Sequence, residues 1–285
     1  MGNSGWQVSR LGRRGSIIVQ GMGVFNPEFY GRYRPFYPAG IFIDFKENLK
    51  RAGFREPFQV ADIGCGTGHS VVSLLKTGIR INALAIDPDP EMLRQAQALF
   101  GREEFPDSSV QFQLGAGENT GLPAQSLDAI LVGSAFHWMN PSQAAGEFRR
   151  ILKPKGLIRL FEYQFPKAES NLPLNEWIRR QFNLNWKAPA QTPRGNFEQI
   201  THIFRAGREF RLLGEGSPPL RLEVSATEVF GLILSQSRVR HYESSLSAPE
   251  ILRFRENLKL DLERFMPMAR ESFRFKLNWA EFELA

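Results

Sequence analysis

Near residue 60 the chain sets an acid and three glycines close together, in Val60-Ala61-Asp62-Ile63-Gly64-Cys65-Gly66-Thr67-Gly68-His69, followed by Ser70-Val71-Val72-Ser73-Leu74-Leu75. This reads as a buried strand that turns into a helix. Glycine there permits positive φ and close approach of a ligand to bare backbone, with helix amides facing the bound group. A dinucleotide site wants Gly-x-Gly-x-x-Gly, its last glycine needed for helix packing, but counted from Gly64 the sixth position is His69. Asp62 adds a second cue, because a carboxylate ahead of the loop repels a pyrophosphate and attracts an ammonium such as that of a methionine moiety. S-adenosylmethionine satisfies both conditions, with Asp62, Gly64 and Gly66 as contacts.

A second acid agrees with this. The run Ile79 to Asp87 reads as another strand ending in a carboxylate, about twenty residues past the glycines, the separation at which an acid accepts from ribose hydroxyls. Asp87 is the predicted ribose ligand, with Pro88 beside it. Pro88-Asp89-Pro90-Glu91 then starts a helix, proline and acids in its first turn as the helix dipole favours.

In order and spacing, four blocks, Val60–Gly68, Leu84–Leu93, Gly115–Met139 and Phe148–Tyr163, resemble the class I S-adenosylmethionine-dependent methyltransferases. The resemblance covers about Phe58 to Tyr163 and gains specificity from Leu122-Pro123, Ser126-Leu127-Asp128 and Leu152-Lys153-Pro154-Lys155-Gly156. It implies an α/β fold: a Rossmann-like, seven-stranded, mostly parallel sheet with helices on both faces and a helical cap over the site. The implied cofactor is S-adenosyl-L-methionine, with S-adenosyl-L-homocysteine as product.

The resemblance also nominates site residues. Tyr33-Arg34-Pro35-Phe36-Tyr37-Pro38 matches a block of the branch that includes trans-aconitate methyltransferases, where it folds over the methionine end of the cofactor. This implies cofactor contacts at Tyr30 and Tyr33; the competing reading is an aromatic and proline plug that packs the cap. Relatives carry Gly-Asp-Ala-Glu where this chain has Gly115-Ala116-Gly117-Glu118, so backbone around Ala116 and Gly117 must hold the adenine, and Glu118 is either a ligand or a turn acid. Ser134-Ala135-Phe136-His137-Trp138-Met139 follows the fourth strand and implies the floor of the transfer site. There Ser134 meets the cofactor and Phe136 and Trp138 wall the pocket. His137 is a general base, an orienting donor or a packed structural residue. In the roof, Arg238, His241 and Tyr242 border the substrate in the resemblance, the alternative being a polar helix end whose arginines satisfy terminal carbonyls.

Strands must carry these residues. Beyond the first two, the patterning predicts Val110–Leu114, Leu127–Val132, Leu157–Tyr163, Leu220–Val224 and Phe273–Leu284, and the resemblance implies that the last two pair antiparallel at the sheet edge. Helices are predicted over Ile41–Leu49, Glu91–Phe100, Ser142–Leu152, Leu174–Phe182, Ala226–Leu234 and Ala248–Phe265, and a loop at Pro189–Pro193. Alternating strands and helices mean a parallel sheet with ligands at the carboxyl ends of its strands. The expected organisation is a mobile leader over 1–22, a cap segment over 23–57, a cofactor-binding core over 58–165, and a substrate cap with the last two strands over 166–285.

Composition narrows the function. At 285 residues and 42% hydrophobic the chain can bury a full core. The single cysteine, Cys65, excludes an internal disulfide, and four scattered histidines predict no metal site. A net charge of +6 comes from basic residues mixed with 30 acids and no long Lys/Arg run, which disfavours nucleic acid; the arginine-rich C-terminal part suits anionic small molecules. No apolar stretch approaches the ~20 residues of a membrane span, and a cytoplasmic protein is expected. The predicted function is methyl transfer to a small-molecule acceptor, by O-methylation of a carboxylate or hydroxyl. The alternatives are a quinone-type C-methyltransferase or a catalytically idle cofactor-binding regulator or scaffold. Oligomeric state is not legible.

Overall fold

The computed structural model describes residues 26–103, 105–187 and 197–285; the leader expected over 1–22 and the loop at Pro189–Pro193 lie outside them. The chain opens with α1 (Pro27–Tyr33), a 3-10 turn (Ala39–Phe42) and α2 (Phe45–Arg51). The core then alternates: β1 (Phe58–Ile63), α3 (His69–Leu75), β2 (Ile81–Asp87), α4 (Pro90–Phe100), β3 (Ser109–Leu114), β4 (Leu127–Gly133), α5 (Pro141–Ile151) and β5 (Leu152–Tyr163). Next come β6 (Lys167–Ala168), α6 (Leu172–Arg180) with a π turn (Gln181–Asn185), α7 (Phe197–Ala206), β7 (Phe210–Gly216) and β8 (Pro219–Val224). The chain closes with α8 (Ala226–Leu234), α9 (Ser237–Glu243), α10 (Ala248–Phe265) and β9 (Glu271–Leu284). Several helices start where an Asn, Asp or Ser side chain accepts from first-turn amides, as Asp89 does for α4 and Asn140 for α5.

Strands β1 to β5 run parallel in the order β3-β2-β1-β4-β5, and β9 joins β5 antiparallel. Among the described residues the sheet has nine strands rather than seven. The excess comes from β9, whose 14 residues overhang the core. Its second half lies between β5 and β7, while its first half pairs with β6 and β8. Phe273 and Phe275 continue its apolar alternation outward and are covered by α6, α8 and α10, which form the roof. One core layer packs the 3-10 turn, α2 and α3 on the sheet, and another packs α5 and α7 on the opposite face.

Three expectations change. The single helix over Ile41–Leu49 is broken, because Ile41, Phe42, Phe45 and Leu49 all reach one core layer while Ile43 between them is exposed. Leu220–Val224 pairs antiparallel with β9 as expected, but with its first half, and the strand beside β9 in the main sheet is β7, which was not expected. Most of β7 is at least partly exposed, and it carries glycines at Gly214 and Gly216, so it lacks a period-two signal. Finally, β5 begins at Leu152, directly after α5, with a register irregularity and a left-handed Lys155 (φ 65°) absorbing the join. Among the described residues no helix is long and apolar enough to cross a membrane.

The join between β5 and β9 holds a fully buried ion pair. The Arg159 Nε and Nη2 atoms donate to Glu281 Oε2 at 2.9 and 2.7 Å, and Nη1 donates to the Ile41 carbonyl. The guanidinium lies 4.2 Å from the Trp279 ring centroid. Removing one partner leaves a buried charge alone, which costs about 3–5 kcal/mol, whereas replacing both costs much less. Arg159→Leu is therefore expected to lose about 3–5 kcal/mol in urea denaturation, and the double variant Arg159→Leu/Glu281→Leu to recover most of that loss.

Candidate functional site

The glycine turn stands at the carboxyl end of β1, with Gly64, Gly66 and Gly68 at φ 71°, 55° and 83°. A Cβ on Gly64 would sit 2.4 Å from Ala135 Cβ and one on Gly68 3.2 Å from Ala96 Cβ, so the protein itself packs against those two. Gly66 differs: its nearest neighbour would be Tyr30 Cε1, at 3.9 Å, so its surface is open beneath an aromatic ring. The turn is tied to β2, because Gly64 and Cys65 amides donate to the Ile86 carbonyl and the Gly66 amide donates to Asp87 Oδ2 at 2.8 Å. Asp87 Oδ1 accepts from the Asp89 amide at 2.9 Å, which leaves each oxygen a lone pair for a further donor.

Asp62 is fully buried at the end of β1. Its Oδ2 accepts from the Ser70 hydroxyl, and its Oδ1 has no partner. Among the described residues four buried side-chain atoms lack a hydrogen bond, and three belong to this turn: Asp62 Oδ1, Thr67 Oγ1 and His69 Nε2. Native structures rarely leave such groups unmade, so their clustering marks where a polar ligand or water completes the structure. Burial pushes the Asp62 carboxyl up to about 7, with Asp87 adding to the rise and Ser70 opposing it. Burial likewise raises Asp87 to about 6 against its two amide bonds, and lowers His69 to about 4.

At the end of β4, Ser134 takes a left-handed φ of 53°, a conformation side chains rarely adopt. Its amide donates to the Phe161 carbonyl at 2.7 Å and its hydroxyl lies 3.0 Å from the Tyr37 hydroxyl. Beside it a cavity of about 10 Å³, room for about one water, is lined by Ser134, His137 and Glu162 with Phe197 and Ile200 as apolar walls. Burial lifts the Glu162 carboxyl to about 7, opposed by Lys276. Above these groups Arg34 bridges to the roof, donating from Nε to Ser235 Oγ at 3.1 Å and from Nη2 to the Ser235 carbonyl at 3.3 Å. Its guanidinium covers the Tyr30 ring at 4.2 Å and lies 6.0 Å from the centroid of the Tyr163 ring at the end of β5.

Comparison with known proteins accords with this arrangement. Residues 61–160 match the family described as "Methyltransferase domain". An uncharacterized methyltransferase of Mycobacterium tuberculosis is 37% identical over 131 residues, 46% of this chain and 47% of that protein. Residues 61–160 thus form a methyltransferase domain. The chain spans about half the length of the mycobacterial relative it matches. A malonyl-[acyl-carrier protein] O-methyltransferase of Methylovorus is 32% identical over 110 residues, 36% of each chain. Among solved structures, a protein described as a type II methyltransferase from Anaeromyxobacter dehalogenans superimposes with a TM-score of 0.59 at 18% identity, covering 88% of this chain and 97% of its own. The [4+2]-cyclase SpnF shares the fold at a TM-score of 0.50 and 15% identity, covering 88% of this chain and 83% of its own.

Within the methyltransferase domain, Asp62, Gly64, Gly66, Asp87 and Pro88 converge at the ends of β1 and β2, with Tyr30 over Gly66. Tyr33 does not join them: its ring lies where a Cβ on Gly231 of α8 would be, 2.1 to 2.5 Å away, and it packs α1 on the roof. Glu118 accepts from the Asn140 amide at 2.7 Å, the turn-acid reading, and Gly117 is packed beneath Met139. Ala116 forms a bridge with Asn119 in the same loop. Phe136 is core, its ring 5.2 Å from Phe204, and it reaches the cavity only as part of its lining. Trp138 tilts against His137 at 5.3 Å. The roof residues are engaged elsewhere. Arg238 donates to the Phe182 carbonyl and stacks on that ring, Tyr242 packs on Phe254, and His241 is exposed. Sequence reasoning missed Arg34, Tyr37, Glu162 and Tyr163, although Arg34 and Tyr37 stand inside the aromatic block already singled out.

The two raised carboxyls predict opposite pH responses. In the free protein their contribution to stability is present below the ordinary carboxyl range and lost as pH rises through about 6 and about 7. A ligand ammonium and ribose hydroxyls favour the ionised forms, so binding tightens over the same interval. Calorimetric titration of S-adenosylhomocysteine is expected to show affinity rising from pH 5.5 to 8 while the free protein's melting temperature falls, with both trends flattened in Asp62→Asn.

Proposed function

We propose that the protein transfers the methyl group of S-adenosylmethionine to an oxygen of a small molecule, a carboxylate or a hydroxyl, and releases S-adenosylhomocysteine. The observation that carries this reading is the unpartnered Asp62 Oδ1 at the end of β1, beside the open face of Gly66 and the doubly anchored Asp87. Asp62 would hold the ammonium, Asp87 the ribose hydroxyls with Pro88 alongside, Gly64 and Gly66 bare backbone, and Tyr30 the covering ring. Backbone around Ala116 and Gly117 would border the adenine. The bound cofactor supplies an electrophilic methyl group.

The chain's own work is positioning and exclusion of water, which supply much of the rate in such a transfer. Ser134, Phe136 and His137 line the reaction side together with Phe197 and Ile200. With a hydroxyl acceptor His137 takes up the proton; with a carboxylate, already ionised at neutral pH, it orients an oxygen. Support for oxygen as the acceptor atom comes from the Methylovorus relative, which by its name is an O-methyltransferase. The trans-aconitate-like assignment rests on the Tyr33–Pro38 block alone. One observation favours a second reading, cofactor binding without methyl transfer: a cyclase shares the fold, so fold alone does not fix the reaction.

Incubation of the purified protein with radiolabelled S-adenosylmethionine and fractionated metabolite pools tests this reading. A labelled small molecule is expected, base-labile if a methyl ester; tight cofactor binding with no labelled product would favour the second reading. Once the acceptor is known, His137→Asn is expected to lower the single-turnover rate by about 10²–10⁴ for a hydroxyl and far less for a carboxylate. S-adenosylhomocysteine affinity should stay near that of the unmodified protein in either case.

A further inference from the structure

Arg34 is a half-buried cation whose named partners are all neutral. Ser235 Oγ and the Ser235 carbonyl take N–H donors, and the Tyr30 ring covers the guanidinium face. Among the described residues no carboxylate stands within ion-pairing distance of it. The undescribed stretches 1–25 and 188–196 contain no Asp or Glu.

Taking a cation out of water is costly unless it is paired. Guanidinium carries five N–H donors in a rigid fork; the two bonds to Ser235 leave three, enough for the two that a carboxylate takes in a bidentate pair. Position makes this a ligand group rather than a packing device. Through Tyr30 it adjoins Gly66, and through Tyr163 it adjoins Tyr37, whose hydroxyl meets Ser134; Ser235 closes the roof side. All three walls of the cleft therefore meet at Arg34. The roof arginine expected to take this part, Arg238, is already engaged by a backbone carbonyl.

We propose that Arg34 is the receptor for a ligand carboxylate where the glycine turn, the ends of β4 and β5 and the roof meet. The carboxylate belongs to the amino-acid end of the cofactor or to the methyl acceptor, and the assignment rests on the cofactor reading given above. Pairing with it supplies the guanidinium's missing counter-charge.

Calorimetry separates the two sources. One arm compares S-adenosylhomocysteine with its decarboxylated analogue on the unmodified protein, Arg34→Met and Arg34→Lys. The other titrates succinate into protein saturated with S-adenosylhomocysteine, following the Arg34 Nε–H resonance. If the carboxylate is the cofactor's, the unmodified protein prefers S-adenosylhomocysteine by about 10- to 100-fold and Arg34→Met abolishes that preference. If it is the acceptor's, the cofactor preference is absent and succinate shifts the Arg34 resonance, with binding lost in Arg34→Met. Arg34→Lys, which keeps the charge and loses the fork, should fall between and serves if Arg34→Met does not fold. The proposal is overturned if Arg34→Met and Arg34→Lys match the unmodified protein in both arms, or if neither arm depends on a carboxylate. Failure of the unmodified protein to bind S-adenosylhomocysteine at all would instead overturn the cofactor reading.

Discussion

Arg159 and Glu281 face each other in register across β5 and β9, both fully buried. A slip of β9 by one residue would turn Glu281 to the face opposite Arg159 and leave two charges unpaired, so the pair fixes the register of the antiparallel join. Much else follows from that register. It sets Tyr163 opposite Leu277 at the mouth of the site and extends Phe275 and Phe273 beyond the core, where the roof helices cover them. The same guanidinium reaches the Ile41 carbonyl and draws the N-terminal segment onto the sheet.

The convergence of Asp62, the glycines and Asp87 was legible because these residues stand in short stretches. Asp62, the glycines and Asp87 each act at the end of a strand whose residues precede them directly, so local spacing carries the geometry. Even there, what Asp87 does for the protein was hidden: its carboxylate ties the Gly66 amide. Glu118 shows the converse, an acid in a promising position whose partner, the Asn140 amide, lies 22 residues away.

The acceptor half was less legible because long-range packing decides it. Whether Tyr30 or Tyr33 covers the glycine turn depends on Gly231, some two hundred residues downstream, which admits the Tyr33 ring and leaves Tyr30 over Gly66. Polar residues at the start of α9 resembled a substrate border, yet Arg238 bonds within the roof, whereas Arg34, hidden in an aromatic run, is the cation that meets the cleft. In the fold, β7 escaped notice because a mostly exposed edge strand with two glycines carries little alternation.

A strand that belongs at once to the core sheet and to the roof has a mechanical consequence. Because β9 runs unbroken from Glu271 to Leu284, no flexible joint separates the two layers along that line. Displacing the roof would bend a hydrogen-bonded ribbon anchored by a buried salt link. Ligand traffic then falls to pieces fastened by side chains alone. Among these α1 stands out, since the Tyr33 ring seated on Gly231 and the Arg34 link to Ser235 work as detachable latches rather than as a hinge.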